Sequence, residues 1–269
     1  MNYDGILRMY EEFWGLKTKP FNNVPDPKFY YHSTMHDEAY LRLVYTLKEN
    51  KGAAMLSGDY GCGKTMLIRL LVAEVARMNY EIAYINNPRW TADEMWCEIL
   101  YEFGEEPVAE NGMTANRALG KLLYRNFEQG KNNLVVVDEA QLIKDKTVFE
   151  ELRLLLNFQL DDHFLVNLFL IGQPELRERV MAIPQLEQRL VIKYHLYAFN
   201  LEDTEKYIEH RLRVAGLVRP IFSKEAIEEI YKMTMGSPRR INNLCDICLL
   251  LGFRKNKKTI DRGIVTLAK

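Results

Sequence analysis

The apolar residues of this chain fall into two rhythms. Over roughly the first two hundred positions, short runs with little polar alternation recur: "AAMLSG" at 53–58, "EIAYIN" at 81–86, "NLVVVDE" at 133–139, "VNLFLIGQ" at 166–173 and "VIKYHLYAF" at 191–199. Between them lie stretches with helical spacing, among them "TMLIRLLVAEVARM" at 65–78 and "VFEELRLLLNFQL" at 148–160. A strand with no polar face is buried on both sides, so this order predicts a parallel sheet flanked by helices, an α/β fold. Thr91 and Glu94 have the spacing of a capping box, which opens one of the flanking helices.

After Phe199 the strand signals stop and a period near 3.6 takes over, with apolar positions at Ile208, Leu212 and Ala215, then Ile227, Ile230 and Tyr231, then Ile241, Leu244, Cys248 and Leu251. Gly216 and Gly236 fall where helix C-termini are expected. The reading is an α/β domain over residues 1–199 and a small all-helical domain over 200–269, without fixed-period repeats or low-complexity tracts.

Composition narrows the function classes. With 36 basic and 37 acidic residues the net charge is −1, so no global field favours nucleic acid or an anionic membrane. No apolar stretch approaches the ~20 residues of a membrane span, and "MNYDGILRMYEEFW" lacks the basic-then-apolar order of a signal peptide, so a soluble, cytoplasmic protein is expected. Four cysteines are too few for a disulfide framework. Cys245 and Cys248 form a C-x-x-C pair, which elsewhere ligates zinc or cycles as a redox couple. Here no second ligand pair accompanies it and the spacing is that of a helix face, so core packing is expected. The basic group Arg254, Lys255, Lys257 and Lys258 reads as a solvated loop between helices.

The chemistry sits at the strand ends. "GDYGCGKT", Gly58, Asp59, Tyr60, Gly61, Cys62, Gly63, Lys64 and Thr65, fits G-x-x-x-x-G-K-[ST] and lies between a buried strand and a helix. Glycines let backbone N–H groups converge on a phosphate, and the helix N-terminus, continuing through Met66, adds partial positive charge. Lys64 would reach the β and γ phosphates and the Thr65 hydroxyl would ligate Mg²⁺, so ATP and Mg²⁺ are the expected cofactors. Cys62 should lie beside the phosphates, where nucleotide would shield it from alkylation. Asp138, at the end of "LVVVD", is placed to hold the metal, and Glu139 to polarise the attacking water. Gln173 ends the next strand, on the same sheet edge, and is a candidate for positioning that water or sensing the γ-phosphate, or else a polar turn residue before Pro174.

In "GSPRR", Ser237 as N-cap and Pro238 as first residue open a helix, yet Arg239 and Arg240 in its first turn oppose the helix dipole. That asks for a compensating anion such as a nucleotide phosphate. Arg189 has no evident duty within the chain and suits an arginine finger acting on a neighbouring subunit, with Arg177 and Arg179 as competitors.

Taken together these residues resemble an AAA+ ATPase. More narrowly the chain resembles the ExeA-type, or general secretion pathway protein A, ATPases of type II secretion and pilus biogenesis. The stretches that carry this are "FWGLKTKPFNNVPDPKFYYHSTMHDEAYLRLVYTL", "VVVDEAQ", "IGQPELRE", "QRLVIKYHLYAF", "YIEHRLRVAG" and "GSPRRINNLCD". The resemblance implies Gln173 as sensor 1, Arg239 as sensor 2 in a helical lid, Arg189 as the finger, and Phe21 or its neighbours along the base pocket. It also implies a ring or filament oligomer, such as a hexamer, that assembles or remodels a partner complex. Full-length secretion members continue into a membrane span and a peptidoglycan-binding region, whereas this sequence ends at Lys269, so a role at the inner-membrane face through a partner is expected. Related ATPases regulate transposition, which makes ATP-dependent DNA binding the alternative, and a nucleotide-bound scaffold with little turnover the third reading.

Overall fold

The structure, a computed structural model, describes residues 10–106, 112–217 and 219–269. Residues 1–9, on which the reading of the N-terminus partly rests, lie outside the described residues. The chain divides into two compact units, each discontinuous in sequence.

One unit, residues 34–59 and 67–196, holds the sheet. Its strands are β1 (Ala53–Gly58), β2 (Tyr80–Ile85), β3 (Asn132–Val137), β4 (Asn167–Gly172) and β5 (Leu190–Leu196), in the order β2-β3-β4-β1-β5, and every pairing is parallel. The α/β expectation therefore stands. β1 and β4, in the interior of the sheet, are buried at every position, and β5, at an edge, is only partly so. That difference is why β1 and β4 read as unbroken apolar runs while β5 carries Lys193 and His195.

The helices of this unit begin with α1 (Thr34–Lys48), and α2 (Lys64–Val75) follows the phosphate loop. Next come α3 (Ala92–Glu102), α4 (Gly112–Glu128), α5 (Lys146–Leu155), α6 (Pro174–Met181) and the short α7 (Pro184–Glu187). One core joins Val135, Val137, Leu168 and Leu170 of the sheet to Trp96, Ile99, Leu119, Leu152 and Leu176 of the helices. The capping box at α3 forms as expected: the Glu94 N–H donates to the Thr91 hydroxyl at 3.3 Å and the Thr91 N–H to the Glu94 carboxylate at 2.7 Å.

The other unit comprises the described residues of 10–33, then 60–66 and 197–269. It contains α8 (Leu201–Val214), α9 (Lys224–Thr234), α10 (Pro238–Arg254) and α11 (Arg262–Leu267). Tyr10, Trp14, Phe21 and Phe29 of the N-terminal segment share one core with Tyr207, Leu212, Ile230, Ile241 and Leu249 of the helices. The Trp14 indole N–H donates to the Leu249 carbonyl at 2.9 Å, which fixes that segment on α10.

Cys245 and Cys248 are fully buried in this core, and burial pushes the Cys248 thiol up to about 12, which suits packing rather than thiolate chemistry. Arg254, at the end of α10, and Lys255, Lys257 and Lys258, between α10 and α11, are exposed. Gly216 follows α8 with φ 96°, as expected of a helix stop. At α9 the left-handed turn starts one residue earlier than expected, with Met235 at φ 52° ahead of Gly236 at φ 72°. Gly236 is held to glycine by its neighbour, because a Cβ there would lie 1.8 Å from the Phe199 carbonyl oxygen.

Candidate functional site

β3, β4 and β1 lie side by side and run in one direction, so Asp138, Gln173 and Gly58 emerge at the same, carboxyl-terminal edge of the sheet. This is the edge at which parallel α/β sheets bind ligands. Asp138 is only 3% exposed. Its Oδ2 accepts from the Tyr84 hydroxyl at 2.9 Å and its Oδ1 from the Glu139 N–H at 2.9 Å. Burial, and then the Asp138 charge, pushes the Tyr84 hydroxyl well above the usual phenol range, while Arg69 opposes the shift. Tyr84 therefore stays a hydrogen-bond donor and steadies the carboxylate.

Glu139 sits in the left-handed region at φ 54°, between β3 and a 3-10 turn at Ala140–Leu142. A non-glycine residue there costs on the order of 1 kcal/mol, which is common where a functional side chain must be aimed. Its Oε2 accepts from the Gln141 amide at 2.5 Å and from the Gln173 amide at 3.4 Å. Gln141 Oε1 in turn accepts from the Gln173 backbone N–H at 3.0 Å. Gln173 is thus both the N-cap residue of α6, without a side-chain cap bond, and a partner of Glu139.

The phosphate loop belongs to the other unit from Tyr60 onward. Gly61 and Gly63 have φ of 75° and 105°, which curls the backbone in a way that residues with side chains resist, and Lys64 begins α2. The first N–H groups of a helix have no intrahelical acceptor, so the loop and helix start form the donor set that a nucleotide phosphate needs. The residues present fit that ligand. Lys64 is 7% exposed, with its ammonium 3.8 Å from Cys62 Sγ. Cys62 itself is fully buried by protein, which corrects one expectation: the thiol is shielded without nucleotide.

Arg239 faces the loop. Its backbone N–H donates to the Gly61 carbonyl at 3.3 Å, its guanidinium to the Tyr60 hydroxyl at 2.6 Å, and a Cβ at Gly61 would meet the Arg239 Cβ at 2.8 Å. Pro238 opens α10 as expected, but Ser237 at the N-cap does not cap it. The hydroxyl instead donates to the Tyr60 carbonyl at 3.3 Å, so the loop takes the group that the helix start would have used. Arg240 donates to the Met233 carbonyl at 2.8 Å. Both first-turn arginines thus take neutral acceptors.

Arg189 immediately precedes β5, whose first residue, Leu190, pairs with Ala53 at the start of β1, at the opposite edge of the sheet from Gly58. Five residues of strand, roughly 17 Å, separate the two edges. Its guanidinium is half-buried, with Nη1 buried and without a hydrogen-bond partner among the described residues. Arg179 donates to the Ile143 carbonyl, and Arg177 is exposed. Phe21 is 2% exposed and packs edge-to-face on Phe222 with centroids 6.3 Å apart, so its ring is a core element. Asp59 and Tyr60 are exposed, and Thr65 and Met66 half-buried.

Three residues escaped the sequence reading. Gln141 and Tyr84 gain meaning only from the register that brings β2, β3 and β4 together. Arg211, buried at 4% exposure, donates to the Pro20 carbonyl at 2.5 Å and the Asn22 carbonyl at 2.7 Å and lies 4.5 Å from the Phe29 ring centre. Its signal was present, since Arg211 lies four residues after Tyr207 on the apolar face of α8.

The AAA domain family matches residues 47–180. General secretion pathway protein A of Aeromonas hydrophila is 38% identical over 263 residues, which is 97% of this chain. The chain spans 48% of that relative's length. Among solved structures, the Aeropyrum pernix ORC2 protein superposes with a TM-score of 0.67 at 18% identity, covering 94% of this chain and 71% of that one. Drosophila ORC bound to DNA gives 0.69 at 17%, covering 98% and 64%, and the Thermotoga maritima RuvB branch migration motor 0.56 at 19%, covering 86% and 67%. These low identities speak for the fold. The AAA family match and the 38% identity across 97% of this chain make it similar to general secretion pathway protein A, and the phosphate loop and the acidic pair at the end of β3 fit an ATPase.

Proposed function

We propose that the protein is a Mg²⁺-dependent ATP hydrolase that works as an oligomer and converts hydrolysis into assembly or remodelling of a partner complex, in secretion, pilus or export machinery. The observation that carries the hydrolytic part is the acidic pair: Asp138 is buried and bonded on both oxygens, while Glu139 is held on Oε2 alone. In this reading the backbone from Gly58 to Met66 cradles phosphates, Lys64 neutralises them, and Thr65 and Asp138 hold the metal. Bound Mg²⁺ would offset the charge of the β and γ oxygens. Glu139 acts as the base, Gln173 reports on the γ-phosphate, and the helices from about residue 200 form a lid carrying Arg239. Arg189 serves a neighbouring copy.

The secretion setting rests on the 38% identity to general secretion pathway protein A, and a site of action at the inner face of a membrane through a partner follows from it. No helix among the described residues is long and apolar enough to cross a membrane. The decisive experiment is Glu139→Gln. Phosphate release should fall by on the order of 10²–10⁴-fold while ATP stays bound, and turnover like the wild type would overturn the reading of Glu139. ATP-dependent, salt-sensitive binding to random duplex would shift the assignment to a DNA-associated regulator.

A further inference from the structure

We propose that Gln141 is a positioning residue that fixes the Glu139 carboxylate and ties it to the end of β4. The inference rests on the reading of Glu139 as the base. Gln141 is 9% exposed, and both ends of its side-chain amide are engaged. Its Oε1 accepts from the Gln173 backbone N–H at 3.0 Å, and a backbone N–H can only donate. That settles which way the amide points: the NH₂ must face Glu139, and it does so at 2.5 Å from Oε2. The orientation follows from the network itself.

Two consequences follow for Glu139. With Oε2 held by Gln141 and, more weakly, by the Gln173 amide at 3.4 Å, that oxygen is anchored and Oε1 has no hydrogen-bond partner among the described residues. Oε1 is therefore the oxygen available to a water. The second consequence is a physical link, because any shift of the Gln173 backbone pulls the acceptor end of Gln141 and, through its amide, the base. Gly172 is built to permit this contact. A Cβ on Gly172 would lie 2.6 Å from Gln141 Oε1, so any larger residue would displace the amide from its place.

The test is steady-state Mg-ATP turnover of the full chain with Gln141→Ala and Gln141→Glu, alongside Glu139→Gln. A loosened base costs on the order of 10–100-fold in kcat, and KM for ATP should stay within about twofold because no ground-state contact to nucleotide is removed. In Gln141→Glu two carboxylates face each other, so turnover should be low at neutral pH. It should recover relative to the wild type as the pH falls and the added carboxyl gains a proton to donate. Gln141→Met, similar in length and without donors, replaces the alanine variant if that fails to fold. Wild-type kcat in Gln141→Ala, KM rising in step with the loss of kcat, or no acid recovery in Gln141→Glu would overturn the proposal. If Glu139→Gln is inactive while Gln141→Ala is normal, only the role of Gln141 falls. If Glu139→Gln turns over normally, the reading of the base falls first.

Discussion

Arg239 donates to the Tyr60 hydroxyl at 2.6 Å and holds its guanidinium 5.1 Å from the centre of the same ring. Tyr60 is 61% exposed and is the first loop residue of the helical unit. A cation over an exposed ring gains only about 0.5–1 kcal/mol, whereas a hydrogen bond from guanidinium to phosphate is charged on both sides and stronger. On the proposed role of Arg239, Tyr60 would be a resting partner that phosphate displaces. Tyr60→Ala should tighten ATP binding by roughly 2–5-fold, the ratio equivalent to that contact. Arg239→Ala should weaken ATP more than ADP and cancel the gain in the double variant. Titration with a fluorescent nucleotide checks both, and unchanged affinity in Tyr60→Ala would show that the contact does not compete.

The sheet and its functional edge were legible because burial on both faces removes polar alternation, so β1 and β4 announce themselves and the motif residues fall at the strand ends. The strand-to-helix placement of the loop was legible for the same reason. What local periodicity could not show was the company kept by distant segments. Trp14, Phe21 and Phe29 lie in a stretch of weak secondary structure, and their burial against α8, α9 and α10 is a long-range outcome. Gln141 reads as an ordinary polar residue until the register of β3 against β4 sets it beside Gln173. Ser237 misled because a residue suited to an N-cap was taken by a stronger local demand, the Tyr60 carbonyl.

Arg189 combines two properties that rarely serve stability. It lies at the sheet edge opposite Gly58, and its Nη1 is buried without a hydrogen-bond partner among the described residues. An unpaired buried donor costs about 1–3 kcal/mol, so Arg189→Ala should leave the melting temperature unchanged or raise it while lowering turnover. Mixing Arg189→Ala with Glu139→Gln subunits should restore part of the activity, because some sites then combine an intact base with an intact finger. Mixed oligomers without recovered turnover would place the role of Arg189 within its own chain. Arg177→Ala should leave turnover unaffected, which separates the two candidates.

Arg211 predicts a stability effect of the opposite kind. Its guanidinium satisfies the carbonyls of Pro20 and Asn22 and touches the Tyr207 hydroxyl at 3.2 Å, and Tyr207 in turn donates to Asn242 at 2.8 Å. Removing the side chain leaves buried acceptors without donors and a gap beside Phe29. Arg211→Ala should destabilise by about 3 kcal/mol, and Arg211→Lys should recover little because one ammonium cannot span two carbonyls and stack on a ring. Denaturant unfolding of the three proteins measures this directly. A loss below about 0.5 kcal/mol would mean the segment is held by Trp14 and its neighbours alone.

His210 gives the pH dependence. Its ring is partly buried, with Nε2 lacking a hydrogen-bond partner among the described residues, and lies 5.8 Å from Tyr31. Burial first, then the nearby charges of Arg213 and Arg211 and the ring of His32, hold its pKa below the ordinary value of 6.5. A histidine depressed in the folded state binds its proton more readily when unfolded. Its contribution is therefore intact above pH 6.5, and stability is lost as the pH falls from there through the folded value. Melting temperatures between neutral and mildly acidic pH should decline in the wild type and decline less in His210→Gln, which fills similar space without titrating. Equal slopes in the two proteins would assign the acid sensitivity to other groups.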